Sequence, residues 1–223
     1  MTKTADNITF SSLFTKGSFI LLLEIFVPGV LFLGLLVLFT RLGGFHFEIL
    51  SRDPIQLLNG KFYFGLLSNT GIVFWCGAAS ILFFTAKLSF AQSRPKKRSS
   101  FFIVSGLLTL LMLIDDLFLL HDVIFPDYLN IDEKIFYVIY GLSVILIFYF
   151  YFQIIMKSDY ILLLLAFGLL AITAFVDVLI AIGIDLPYPY AIEDGCKFLG
   201  IISWFIYFTR TCYKYIKHVE SLD

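Results

Sequence analysis

Six long apolar stretches constrain the fold of this chain more than any other feature of its sequence. A helix needs roughly 20 mostly apolar residues to cross the hydrocarbon core of a membrane. Hydrophobic residues make up 60% of the 223 residues and charged residues 15%, whereas soluble domains contain about a quarter charged residues. The sequence therefore predicts an all-α polytopic membrane protein, a single transmembrane domain over residues 1–223. The six predicted spans of this helix bundle cover approximately residues 17–40, 63–86, 101–123, 135–156, 160–184 and 192–213.

Basic residues in the predicted loops indicate the orientation of the bundle. Loops rich in Lys and Arg stay on the cytoplasmic side, and the richest loop holds Lys87 and the basic run at residues 94–98. We therefore expect both termini in the cytoplasm, a plasma or inner membrane as the location, and the lipid bilayer as the immediate partner. The basic run could also bind anionic lipid, but we interpret it as a topology signal.

Composition and missing motifs exclude several classes of protein. The net charge of −1 gives no overall field that would attract a polyanion, so we expect no nucleic-acid partner. Three cysteines without a CxxC pair provide no disulfide framework. The chain contains no P-loop, no HExxH and no GxSxG motif. Its three histidines are too few for a multi-histidine membrane enzyme.

Ionisable residues from several spans gather at one predicted depth, the external third of the membrane. Asp115 and Asp116 lie well inside the third span, and Asp177 lies at a similar height in the fifth. We expect these acids to face a polar pocket, open to the outside, between the second, third, fifth and sixth helices. Further polar residues near the same level are Asn69, Thr70, His121, Asp122, Glu193, Asp194 and Lys197.

Charged groups inside a membrane cost at least about 2.5–3.5 kcal/mol each, so these acids need compensation. Protonation, a bound cation or a water-filled cavity would each provide it. Carboxylate oxygens suit Mg²⁺, Ca²⁺ or Mn²⁺, and a single nearby imidazole, His121, argues against a three-histidine zinc site. A structural reading, with Glu193 and Lys197 paired at i,i+4, also stays open. The candidate metal ligands are Asp115, Asp116, Asp122, Asp177, Glu193 and Asp194.

Three functions remain open. The leading hypothesis is the binding of a cation or proton in transport or channel activity. The second is a metal-dependent hydrolase or transferase that acts on a lipid at the outer leaflet, with His121 as general acid or base. The third is a non-catalytic subunit of a larger membrane complex, whose acids pair with a partner's bases. A homo-oligomer is also an open expectation for the partner. The residues expected to carry the chemistry are Asp115, Asp116, His121, Asp177 and Lys197.

Overall fold

The computed structural model describes residues 16–91 and 96–220, and every regular element within these ranges is helical. The all-α prediction is therefore confirmed for the described part of the chain. The chain divides into two compact units, Met1–Phe64 and Gly65–Asp223. Residues 94 and 95 of the basic run lie outside the described residues.

The described part of the first unit, from residue 16 onward, contains one long helix and two short ones: α1 (Lys16–Gly43), α2 (Glu48–Ser51) and α3 (Pro54–Leu57). α1 includes the whole first predicted span. Asp53 caps the start of α3, because its carboxylate accepts a hydrogen bond from the backbone N–H of Ile55 at 2.7 Å. Pro54 then supplies a helical φ at the first position, where no N–H is needed.

The second unit contains the remaining helices: α4 (Leu66–Ala91), α5 (Lys96–Phe118), a π-helix (Leu120–Tyr128), α6 (Lys134–Met156), α7 (Tyr160–Ala181) and α8 (Pro189–Glu220). Each predicted span from the second to the sixth falls on one of the α-helices in this order. The third predicted span extends too far, because α5 ends at Phe118. Leu119 adopts a left-handed φ of 52°, which an α-helix does not accommodate, and the chain turns there into the π-helix.

Five helices of the described chain are long and apolar enough to cross a membrane. They are α1 over Phe26–Gly43 and the full lengths of α4, α5, α6 and α7. α8 contains the sixth predicted span but is not among them. Charged residues near its start (Glu193, Asp194, Lys197) and toward its end (Arg210, Lys214) lower its mean hydropathy. The count of six spans and the cytoplasmic termini therefore stay predictions.

Trp204 of α8 lies at the centre of the second unit's core. Its ring packs edge-to-face against Trp75 of α4 and Phe167 of α7, with centroids 5.7 and 5.2 Å apart. Its Nε1 donates a buried hydrogen bond to Thr109 Oγ1 of α5 at 3.0 Å. One side chain thus joins four helices and fixes the distances between them. The polar ends of these helices are positioned by that packing.

Candidate functional site

A cavity of about 490 Å³ lies in the second unit, and we name it the acidic cavity. Helices α4 to α8 and the π-helix all contribute to its wall. Every candidate site residue from the sequence lines it except Asp194. The lining residues with ionisable or hydroxyl side chains are Asp115, Asp116, His121, Asp122, Tyr137, Tyr140, Thr173, Asp177, Glu193 and Lys197.

His121 joins two carboxylates of this cavity. Its Nδ1 lies 2.7 Å from Asp115 Oδ2, and its Nε2 lies 3.0 Å from Asp122 Oδ1. The chain turns at Leu119, and this turn brings His121 back towards Asp115 at the end of α5. The backbone N–H of His121 donates to Asp115 Oδ1 at 2.9 Å. Tyr140 of α6 donates a further hydrogen bond to Asp115 Oδ2 at 2.7 Å. A neutral imidazole has a single N–H, so both ring contacts are hydrogen bonds only when His121 is protonated.

The electrostatics of His121 agree with this geometry. Burial by itself lowers the pKa of His121, but the hydrogen bonds and charges of Asp115 and Asp122 outweigh it and raise the pKa to about 10. The hydrogen bond from His121 in turn lowers the pKa of Asp122. Both pKa shifts favour a protonated His121 that holds two carboxylates together.

Lys197 of α8 forms an ion pair with Asp116 of α5. The Asp116 side chain is 6% exposed and the Lys197 side chain 32%. Among the described residues Lys197 forms no ion pair with Glu193, although the two are one helical turn apart. Asp194 lies away from the acidic cavity, on a small crevice that Asp116 and Lys197 also line.

Asp177 and Glu193 differ from the other acids of the cavity. Asp177 accepts a hydrogen bond from the Tyr137 hydroxyl. Glu193 lines the cavity, and its backbone carbonyl accepts a hydrogen bond from Thr173 Oγ1 at 3.2 Å. The ion pairs of the described residues include no cationic partner for either carboxylate.

The acids do not form a metal-binding group in the described residues. Across residues 16–91 and 96–220, no three His, Cys, Asp or Glu side chains lie together in a way that could hold a metal ion. Asp115, Asp116 and Asp177 instead contact His121, Lys197 and Tyr137. The Mg²⁺, Ca²⁺ or Mn²⁺ site therefore stays a prediction.

Comparison with known proteins places the chain in a family. Residues 28–211 match the family described as "Domain of unknown function (DUF8692)". The chain belongs to this family. The comparisons with curated proteins and with solved structures gave no match.

Two tyrosines of α6 are site residues that the sequence interpretation did not include. Tyr137 and Tyr140 line the cavity and bond its carboxylates, whereas the predicted pocket omitted their helix altogether. Their i,i+3 spacing, which places both on one helical face, was the available signal. Conversely, Asn69 and Thr70 are not among the lining residues, and the Thr70 hydroxyl donates to Leu66 O of its own helix at 2.7 Å.

Proposed function

We propose that this protein binds a positively charged ligand in the acidic cavity, as the recognition step of cation transport. The observation that carries the proposal is the charge balance of the lining. Five carboxylates face the cavity, from Asp115, Asp116, Asp122, Asp177 and Glu193, against the two cations His121 and Lys197. Asp177 and Glu193, which have no cationic partner among the described residues, are partly buried, and a partly desolvated carboxylate without a counter-ion favours a cationic ligand.

Asp177 and Glu193 are the groups expected to contact the ligand. The other three carboxylates already have His121 or Lys197 as a partner. Asp177 keeps one oxygen bonded to a neutral hydroxyl, which orients the carboxylate and leaves its charge for the ligand. In this arrangement Lys197 and His121 hold the site together, and α7 and the start of α8 supply the binding charges.

The lining favours an organic ammonium over a bare metal ion. Aromatic rings from Trp75, Tyr137 and Phe167 line the cavity, and aromatic faces attract alkylammonium groups. The volume falls in the range of pockets that hold small organic molecules, roughly 300–1,000 Å³. A metal ion would fill a small part of this space and would need several carboxylates around one point.

The hydrolase or transferase hypothesis receives less support from the geometry. It gives His121 the role of general acid or base, and a general base needs a free ring nitrogen. Both nitrogens of His121 are bonded to carboxylates. The metal on which that hypothesis depends also lacks a ligand group among the described residues.

Phenyltrimethylammonium tests the proposal, with N,N-dimethylaniline as its neutral counterpart of similar shape. The purified full chain in lipid nanodiscs should bind the cation measurably more tightly than the neutral compound in titration calorimetry. Asp177→Asn and Glu193→Gln should each weaken binding about tenfold, which corresponds to a loss of about 1.4 kcal/mol. Asp185→Asn is the matched control, because Asp185 is exposed and does not line the cavity.

Uptake of the same radiolabelled cation into proteoliposomes tests the transport step separately. The cation is permanently charged and does not cross lipid unaided, so uptake above empty vesicles requires the protein. Equal binding of the cationic and neutral compounds would refute the proposed ligand charge. Specific binding without uptake would keep the binding site and refute transport.

A further inference from the structure

A second cavity, of about 390 Å³, lies at the other end of the second unit. It is bounded by the start of α5, the end of α6 and the late turns of α8. Lys97 on α5 is 19 residues before Asp116, which corresponds to roughly 28 Å along a helix. We name this site the basic pocket. It is separate from the acidic cavity, and its ligand is independent of the function proposed for that cavity.

The charge of the basic pocket is opposite to that of the acidic cavity. Lys97, Arg98, Lys157 and Lys214 line it, and its described lining includes no Asp or Glu. Asp159 is the nearby acid, and it bonds Lys214 Nζ at 2.7 Å. The other three bases form no ion pair with a described residue. Among the described residues, Asp159 thus compensates Lys214, and the other three bases keep their positive charge without a counter-ion.

A buried hydroxyl in the same pocket lacks a partner. Thr211 is 8% exposed, and its Oγ1 makes no hydrogen bond to any described residue. The nearby hydroxyl of Tyr207 already shares a hydrogen bond with Ser158 Oγ at 2.9 Å. Thr211 lines the pocket beside the four bases, but its Oγ1 is enclosed by protein atoms and does not face the pocket. The charge of the pocket therefore comes from the bases alone.

The rest of the pocket wall combines apolar and aromatic side chains with the polar Gln153 and Ser158. Phe102 is buried and Ile154 partly buried, and the ring of Tyr215 lies 6.0 Å from the Arg98 guanidinium in a cation–π contact. This contact orients the guanidinium at the pocket wall. A planar guanidinium binds two phosphate oxygens at once, while lysines contribute point charges.

From these observations we propose that the basic pocket binds a phosphate-bearing anion. Arg98 and Lys157 provide the principal charges, with Lys97 beside them. Basic pockets between membrane helices accept anionic lipid headgroups, and free phosphate offers the same oxygens. The apolar wall formed by Phe102 and Ile154 would lie against the glycerol or acyl part of a lipid.

Binding of inorganic phosphate to the full chain in phosphatidylcholine nanodiscs is the first measurement. The second is the shift of the thermal midpoint when phosphatidylglycerol replaces part of the phosphatidylcholine. Arg98→Gln/Lys157→Gln should weaken phosphate binding about tenfold or abolish the lipid-dependent shift, since each lost charge-assisted hydrogen bond has an effect of that order.

Lys87→Gln/Lys217→Gln is the matched control. It removes the same charge from two exposed lysines that do not line the pocket. If inorganic phosphate binds saturably and the control variant still binds it, the ligand is a free anion. If only the thermal midpoint shifts with phosphatidylglycerol and phosphate does not bind, the ligand is a lipid headgroup. The proposal is overturned if the wild type responds to neither probe. It is equally overturned if the control loses the response to the same extent as the pocket variant.

Discussion

Replacing Lys197 by methionine should destabilise the second unit strongly, because it leaves the Asp116 carboxylate without its ionic partner. The Asp116 side chain is 6% exposed, so water does not replace the lost ammonium. Methionine keeps most of the side-chain volume, and the change therefore tests charge and leaves packing nearly intact.

The magnitude follows from the burial of the two groups. Removing one member of a buried ion pair costs about 3–5 kcal/mol, mostly because the other charge is left unpaired. Lys197 is 32% exposed, and this partial access to solvent places the expected loss near the lower limit, at about 3 kcal/mol. Asp116→Leu in the Lys197→Met background should restore most of the stability, since no unpaired charge then remains.

Equilibrium unfolding in mixed detergent micelles measures this effect. Lys214→Met is the comparison, because its ion pair with Asp159 is largely solvated, with the lysine side chain 53% exposed. Exposed pairs contribute about 1 kcal/mol or less. The reasoning would be refuted if Lys197→Met cost no more than Lys214→Met. It would also fail if the double variant were as unstable as the two single losses added together.

Three further predictions concern the helix packing and the network around His121. Gly200→Ala should lower the free energy of unfolding by about 1–3 kcal/mol, because the new Cβ would lie 3.0 Å from the Leu170 side chain. Gly168→Ala is the control and should be neutral or stabilising, because a Cβ there has nothing within 4 Å. Equal effects of the two substitutions would contradict the packing at Gly200. Tyr140→Phe should lower the unfolding free energy by about 1.5–3 kcal/mol, the range for a hydrogen bond to a charged group, and an unchanged denaturation midpoint would contradict the bond. The stability advantage of wild type over His121→Gln should be greatest below pH 6.5 and decline as the pH rises toward 10, because the folded pKa is raised to about 10. A constant difference across this range would contradict a protonated His121.

The two cavities place acidic side chains at one end of the second unit and basic side chains at the other. α5 begins beside the basic pocket and reaches the acidic cavity near its last turn. Between them lies the core around Trp204, which is 1% exposed. Each proposed ligand therefore has its own site, and a substitution at one end should leave binding at the other unchanged.

The apolar composition of each stretch was enough to predict the helices, because an apolar run of this length can form few other structures in a membrane. A backbone inside a bilayer must satisfy its hydrogen bonds within each segment, and a helix does so without help from its neighbours. The positions of Asp115, Asp116 and Asp177 along their helices were equally predictable, because helical rise depends on residue number alone. Common depth alone did not bring them around one cavity, because Asn69, Thr70 and Asp194 have the same predicted depth and do not line it.

The pairing of charges was decided by tertiary structure. Lys197 contacts Asp116 on another helix instead of Glu193 on its own, a choice that depends on the rotation and spacing of α5 and α8. His121 reaches Asp115 because the chain turns at Leu119, where an uninterrupted helix was predicted. Helical periodicity describes one helix at a time, whereas pairing energies depend on distances across helices, and packing around residues such as Trp204 sets those distances.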